Sequence, residues 1–174
     1  SAASDVYKRQ VGSIPKIKFD LRNYLAYLEK QVELCQEQYQ LQVHKNTTVT
    51  AELLKEKVYD SVIFAYGTKE IFPPFKGREE ANLILGTDLL EHPEKAEGAN
   101  NIVIVGGGVV GCETAHWLAN EYGKNVTVLE MLPHFMMGVC TANRGHLLHY
   151  LEKSGVRLYN CTKAVSYTHL RANE

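Results

Sequence analysis

From Asp20 to Gln38 the apolar side chains recur at steps of three and four: Leu21, Tyr24, Leu25, Leu28, Val32 and Cys35, with Tyr39 next in line. This spacing gathers them on one face of a helix. Asp20 is suited to cap its start, and Pro15 lies outside it. Tyr39 to His44 alternates and predicts a short strand. Thr50 to Lys57 predicts a short helical turn. Ser61 to Tyr66 (SVIFAY) is a continuous apolar run stopped by Gly67, the pattern of a buried strand. Ile71 to Gly77 (IFPPFKG) is rigid and non-helical, a linker or docking segment. Asn82 to Leu90 predicts one short strand and a turn at Gly86. Glu91 to Asn100 is polar, holds Pro93 and Gly98, and is the clearest candidate boundary in the chain.

Beyond it the period changes. Asn101 to Val105 (NIVIV) is an apolar strand, followed by a glycine turn at 106–111 and a helix from Cys112 to Tyr122. Val126 to Glu130 (VTVLE) is a second strand. Thr141 to Ser154 is a helix with Leu147, Leu148 and Leu151 on one face and Gly155 at its C-terminal cap. Val156 to Asn160 is a third strand. Strand, helix, strand, helix, strand calls for a parallel sheet with right-handed crossovers, an α/β class of the doubly wound, Rossmann-like kind, here incomplete.

Charge and cysteine usage narrow the function classes. The 174 residues carry a net charge of -1 with both signs scattered, which argues against nucleic acid or an anionic membrane as partner. No apolar run reaches the ~18 residues of a membrane span, and the N-terminus has no apolar signal core. Cys35, Cys112, Cys140 and Cys161 form no CxxC pair, so a reducing, cytoplasmic setting is expected. The two ends, SAASDVYKRQ at 1–10 and VSYTHLRANE at 165–174, resemble translated adapters from transposon-based sequencing libraries. DVYKRQ can be encoded GAT GTG TAT AAG AGA CAG, whose reverse complement in a shifted frame reads VSYTH. Both ends are therefore expected to lie outside the fold and to lack stable packing.

The chemistry-bearing motif is the turn Gly106-Gly107-Gly108-Val109-Val110-Gly111, a GxGxxG. Alone it is weak, but an apolar strand precedes it, a helix follows it, and Glu130 closes the next strand nineteen residues after Gly111. Gly106 permits the sharp turn, Gly108 lets a pyrophosphate approach the backbone, and Gly111 lets the helix pack close to the strand. The helix start offers N–H groups and its positive end to phosphates. Glu130 can accept hydrogen bonds from an adenosine ribose, which favours NAD over NADP. No Arg or Lys stands among Met131, Leu132 and Pro133 to receive a 2′-phosphate, and His134 is the nearest candidate cation. A glycine-rich turn without a ligand is the alternative. Glu113 either answers the helix dipole or faces a nicotinamide.

Other constellations have simpler readings. His146 and His149 share a helix face without a supporting carboxylate or Cys, so no metal site is expected. Cys112 sits where a helix start can lower a thiol pKa, but packing against the sheet is the simpler expectation. Three Asn-x-Thr triplets, at Asn46, Asn125 and Asn160, read as chance without a secretory route. Met131, Met136 and Met137 with Phe135 form an apolar cluster expected to pack in a core or between domains.

The runs GGGVVGCETAHWLA, VTVLEML and ANRGHLLHYLEKSGV resemble the NAD-binding segment of FAD-containing pyridine-nucleotide oxidoreductases. More narrowly, they are similar to the multidomain old yellow enzyme relatives, the 2-enoate and 2,4-dienoyl-CoA reductases. PKIKFDLRNYLAYLEKQVE and YDSVIFAYG support the resemblance, which covers nearly all of 11–164. It implies NADH passing hydride to FAD, with an iron–sulfur cluster and FMN in an N-terminal barrel absent from this chain, and reduction of an activated C=C bond. By position, Gly106, Gly107, Gly108, Val110 and Gly111 would hold the pyrophosphate and Glu130 the ribose. Glu113 would approach the nicotinamide, and Ala65, Tyr66 and Gly67 would line the FAD. Tyr66 stands where the family has Thr. The resemblance thus implies the rear of an FAD domain with its linker at 11–97 and the first half of an NAD domain at 98–164, flanked by the tails at 1–10 and 165–174. An NADH oxidase or disulfide reductase shares these elements, and a non-catalytic NAD-sensing module is the reading from another class.

Overall fold

The computed structural model describes residues 11–56, 59–65, 71–72, 74, 76–79 and 82–166. The chain divides into two compact units, 1–69 and 70–174.

The first unit is built on helix α1, Phe19–Tyr39. Its apolar stripe is as the spacing predicts, but of its residues only Leu25 is buried. Lys18, not Asp20, occupies the cap position, and Asp20 lies in the first turn. Arg22 fastens the entry, its guanidinium donating to the carbonyls of Ser13 (3.2 Å) and Ile14 (3.3 Å). Gln40 ends the helix in a left-handed conformation. Two expected strands do not form: residues 40–44 are irregular, and so are 61–65. Ile63 is 88 % and Phe64 71 % exposed. A strand needs a paired neighbour, and among the described residues this run takes no strand conformation. Helix α2, Ala51–Glu56, follows Thr50, whose hydroxyl accepts from the Leu53 N–H at 3.3 Å.

The second unit contains the expected βαβαβ. Its order is α3 (Gly86–Glu91), a short 3₁₀ turn (Pro93–Ala96), β1 (Asn101–Val105), α4 (Val109–Tyr122), β2 (Asn125–Leu129), α5 (Thr141–Lys153) and β3 (Arg157–Tyr159). The three strands are parallel in the order β1-β2-β3, with Ile102 opposite Val126 and Val128 opposite Leu158. Alternation along each strand turns Ile102, Ile104, Val126 and Val128 inward. Cys112, Ala115 and Leu118 of α4 and Leu151 of α5 are buried as well, while Val103 and Val105 stay exposed. Trp117, the single tryptophan, is buried and packs edge-on against Tyr122 at 4.8 Å. Residues 82–90 depart from expectation: the strand is absent, and Gly86 opens a helix that buries Leu89 and Leu90. The polar stretch 91–100 lies inside the second unit and buries Ala96. Val165 and Ser166 are exposed, and the Lys76 N–H donates to the Val165 carbonyl at 3.4 Å. Among the described residues no helix is long and apolar enough to cross a membrane.

Candidate functional site

Strand β1 delivers the chain into the glycine turn at the carboxyl end of the sheet, where the Gly106 N–H still donates to Leu129 of β2 at 2.9 Å. Each glycine of the turn has a separate reason. Gly106 takes φ +113, which side chains rarely adopt. A Cβ on Gly111 would overlap the Gly106 carbonyl oxygen and crowd Ile104 at 3.3 Å, so α4 starts this close to β1 only without one. A Cβ on Gly107 would run into the Phe135 ring and come within 2.9 Å of Glu130 Cβ. Gly108 differs from all three. Its φ of -70 and ψ of -179 suit any residue, and an added Cβ would meet nothing within 4 Å. Neither backbone nor packing asks for glycine there.

Gly108 is also the cap of α4 and has no side chain with which to cap it. The first helical N–H groups, from Val109 to Gly111, therefore have no side-chain acceptor at the cap, beside the open space over Gly108. An anion fits this cradle by hydrogen bonding and by the helix dipole together. Val110 is exposed at its rim. Because α4 begins at Val109, three residues before the predicted start, Glu113 falls outside the first turn. The dipole reading of that acid weakens accordingly. Glu113 is half-buried.

Glu130 follows β2 and is 8 % exposed. Its Oε2 accepts from the Gly107 N–H at 2.7 Å and its Oε1 from the Leu132 N–H at 2.8 Å. A carboxylate has about four acceptor positions, so each oxygen keeps one for a further donor such as a ribose hydroxyl. The backbone of Glu130 is pinned as well: its N–H donates to Tyr159 at 2.8 Å and its carbonyl accepts from Thr162 at 2.8 Å.

The loop after Glu130 folds back under the turn. Phe135 and Met136 are buried, and the Met136 N–H donates to the Gly107 carbonyl at 2.8 Å. Met131 and Met137 are exposed, so the methionine cluster divides: one member packs in the core and two face outward. Cys112 is fully buried and its thiol points at the same Gly107 carbonyl, 3.5 Å away. Burial, with Glu130 and then Glu113 adding negative charge nearby, pushes its pKa up to about 12. This is the packed thiol expected, not an activated one. His146 and His149 stand around the ring of Tyr150, at 4.6 and 6.2 Å.

The structure thus brings Gly106, Gly107, Gly108, Val110, Gly111 and Glu130 into one turn. Of the proposed flavin-lining residues, Ala65 is half-buried in the first unit, and Tyr66 and Gly67 lie outside the described residues. Sequence reading missed Phe135 and Met136 as partners of Gly107. Their apolar character was visible, but the contact joins positions whose proximity only the folded loop creates.

The family model for pyridine nucleotide-disulphide oxidoreductases matches residues 2–171. The chain is 30 % identical over 158 residues to a bilirubin reductase of Mediterraneibacter gnavus (strain CC55_001C), which covers 91 % of this chain and 24 % of that protein. It is 28 % identical over 166 residues to a cinnamate reductase of Clostridium sporogenes, covering 94 % of this chain and 23 % of the relative. A solved 2-naphthoyl-CoA reductase shares the fold, with a TM-score of 0.76 and 23 % identity over 91 % of this chain and 23 % of that one. The chain spans about a quarter of the length of these proteins.

Proposed function

The chain belongs to the pyridine nucleotide-disulphide oxidoreductase family, and we propose that its glycine turn holds the ADP half of NADH in an NADH:flavin oxidoreductase. The observation that carries this is Gly108, a glycine that neither φ nor packing requires, at an uncapped helix start. When bound, NADH supplies a hydride, for which FAD is the acceptor. The chain's own residues bind and orient. The N–H groups at the start of α4 receive the pyrophosphate, and the bare α-carbon of Gly108 lets it approach. Glu130 accepts from the ribose hydroxyls, and the same negative charge repels a 2′-phosphate, so NADH is preferred to NADPH. On the same reading Glu113 is assigned to the nicotinamide end by family resemblance alone. Ala65, Tyr66 and Gly67 are assigned to FAD by family resemblance alone.

The parent reaction we infer is reduction of an activated C=C bond, an enoate or enoyl thioester. Support comes from the cinnamate reductase relative, since cinnamate carries a C=C bond conjugated to a carboxylate. In this reading FMN and an iron–sulfur cluster belong to parts of the polypeptide beyond this chain, and the setting is cytoplasmic. Sequencing the source DNA across both ends tests the parent. A frame running upstream into a second glycine turn, a cysteine cluster and a barrel supports it, and a frame starting near residue 1 removes it.

The nucleotide site is tested by substitution at Gly108 and Gly111. Gly108→Val gives up only glycine's advantage over valine at a helix cap, about 1 kcal/mol of stability, and abolishes NADH binding, read by nicotinamide fluorescence. Gly111→Ala drives a methyl into the Gly106 carbonyl and costs about 1–3 kcal/mol of stability as overpacking. Undiminished NADH binding by Gly108→Val would sink the assignment.

A further inference from the structure

We propose that Asn160, bonded to Pro133 rather than to Glu130, is a positioning residue that sets the preference for an unphosphorylated ribose. The inference rests on the assignment of Glu130 to the ribose. Asn160 follows β3 and is exposed. Its side-chain Nδ2 donates to the Pro133 carbonyl at 2.6 Å, reaching across 27 residues of sequence. Its neighbour Cys161 takes a left-handed φ of 49, and the Cys161 N–H donates to Leu132 at 3.1 Å. The Thr162 hydroxyl in turn donates to the Asn160 carbonyl at 2.9 Å, holding the bend. The loop after Glu130 is thus tied down at Leu132 and Pro133 from the far side of β3.

That tie matters because the Leu132 N–H is one of the two donors that orient the Glu130 carboxylate, at 2.8 Å from Oε1. With Leu132 held, the carboxylate is fixed in one rotamer and presents one remaining acceptor position on each oxygen. A cis-diol bearing two donors matches that presentation, and a phosphate, which brings charge and no donor, does not. If the loop slackens, Oε1 is released and the carboxylate swings. Diol binding then loses its orientation, while repulsion of a 2′-phosphate also relaxes. A residue that served the fold alone would weaken both ligands by the same factor.

The test compares the 174-residue chain with its Asn160→Ala variant, using ADP-ribose and 2′-phospho-ADP-ribose in titration calorimetry. Loss of one tether of hydrogen-bond strength predicts a fall of about threefold to tenfold in ADP-ribose affinity. Affinity for the phosphorylated ligand falls less or rises, so the ratio between them narrows. Equal weakening of both, or no change in either, overturns the proposal while leaving the nucleotide site standing. Binding of neither ligand by the unsubstituted chain removes the ribose assignment and the proposal with it. Amide hydrogen exchange without ligand gives a second reading: Leu132 and Met136 exchange faster in Asn160→Ala, and unchanged exchange overturns the tether.

Discussion

The Gly107 amide nitrogen lies 2.7 Å from Oε2 of Glu130, a residue 23 positions further along the chain. The acid at the end of β2 is therefore a fastener of the glycine turn as well as a candidate ribose acceptor. Gly107 is held from three directions. Glu130 takes its N–H, Met136 and Cys112 donate to its carbonyl, and the Phe135 ring covers its α-carbon. The turn is consequently formed before any ligand arrives, which lowers the ordering cost of binding. Gly108, one residue on, keeps the opposite character, with open space above it.

Removing the Glu130 carboxylate should loosen this arrangement in the absence of any nucleotide. Glu130→Ala strands two N–H donors, that of Gly107 at a buried position. Losing charge-assisted bonds of this kind costs about 2 kcal/mol or more. Trp117 is buried in the same unit, so its fluorescence in urea reports the change locally. Glu130→Gln retains one acceptor oxygen and falls between the two. An Ala variant as resistant to urea as the parent chain would show that the carboxylate serves the ligand alone.

How much of this was legible beforehand follows from how far apart the deciding atoms are in sequence. Strand β1, the glycine turn and α4 are contiguous, and their pattern is local: NIVIV, four glycines within six residues, then an apolar helix. Glu130 was legible through its spacing. The run 61–65 takes no strand conformation although its apolar composition says strand, because strand formation depends on distant pairing that local composition does not encode. Gly86-Thr87-Asp88 reads as a turn, yet burial of Leu89 and Leu90 makes it the start of a helix. The Asn160–Pro133 and Phe135–Gly107 contacts left no pattern, since nothing in local composition marks either pair.

Three of the four cysteines should separate cleanly by reactivity. Cys112 is fully buried with its pKa pushed up to about 12, while Cys140 and Cys161 are exposed. Thiolate is the reacting species, so alkylation near neutral pH modifies Cys140 and Cys161 first and reaches Cys112 only on unfolding. Peptide mass mapping after a short iodoacetamide pulse reads the order. Early labelling of Cys112 would mean that the packing beneath the glycine turn opens readily.

Acid should weaken the second unit through His116. This imidazole is buried on α4, with Nδ1 3.0 Å from the Ser154 hydroxyl and its ring 5.4 Å from that of Tyr150 on α5. Burial lowers its pKa from the ordinary 6.5, and the charge of Glu121 offsets this only in part. In the unfolded chain the group titrates near its ordinary value. Between that value and the lower folded one, the unfolded state binds more protons, so stability rises with pH across the window. The contribution is fully present above pH 6.5 and is lost as pH falls through the window below it. Melting followed by Trp117 fluorescence should show a midpoint that drops from pH 7 toward pH 5. His116→Gln, which keeps a polar group but cannot take up the proton, should flatten that part of the slope. A slope that persists unchanged in His116→Gln would assign the acid sensitivity to other groups.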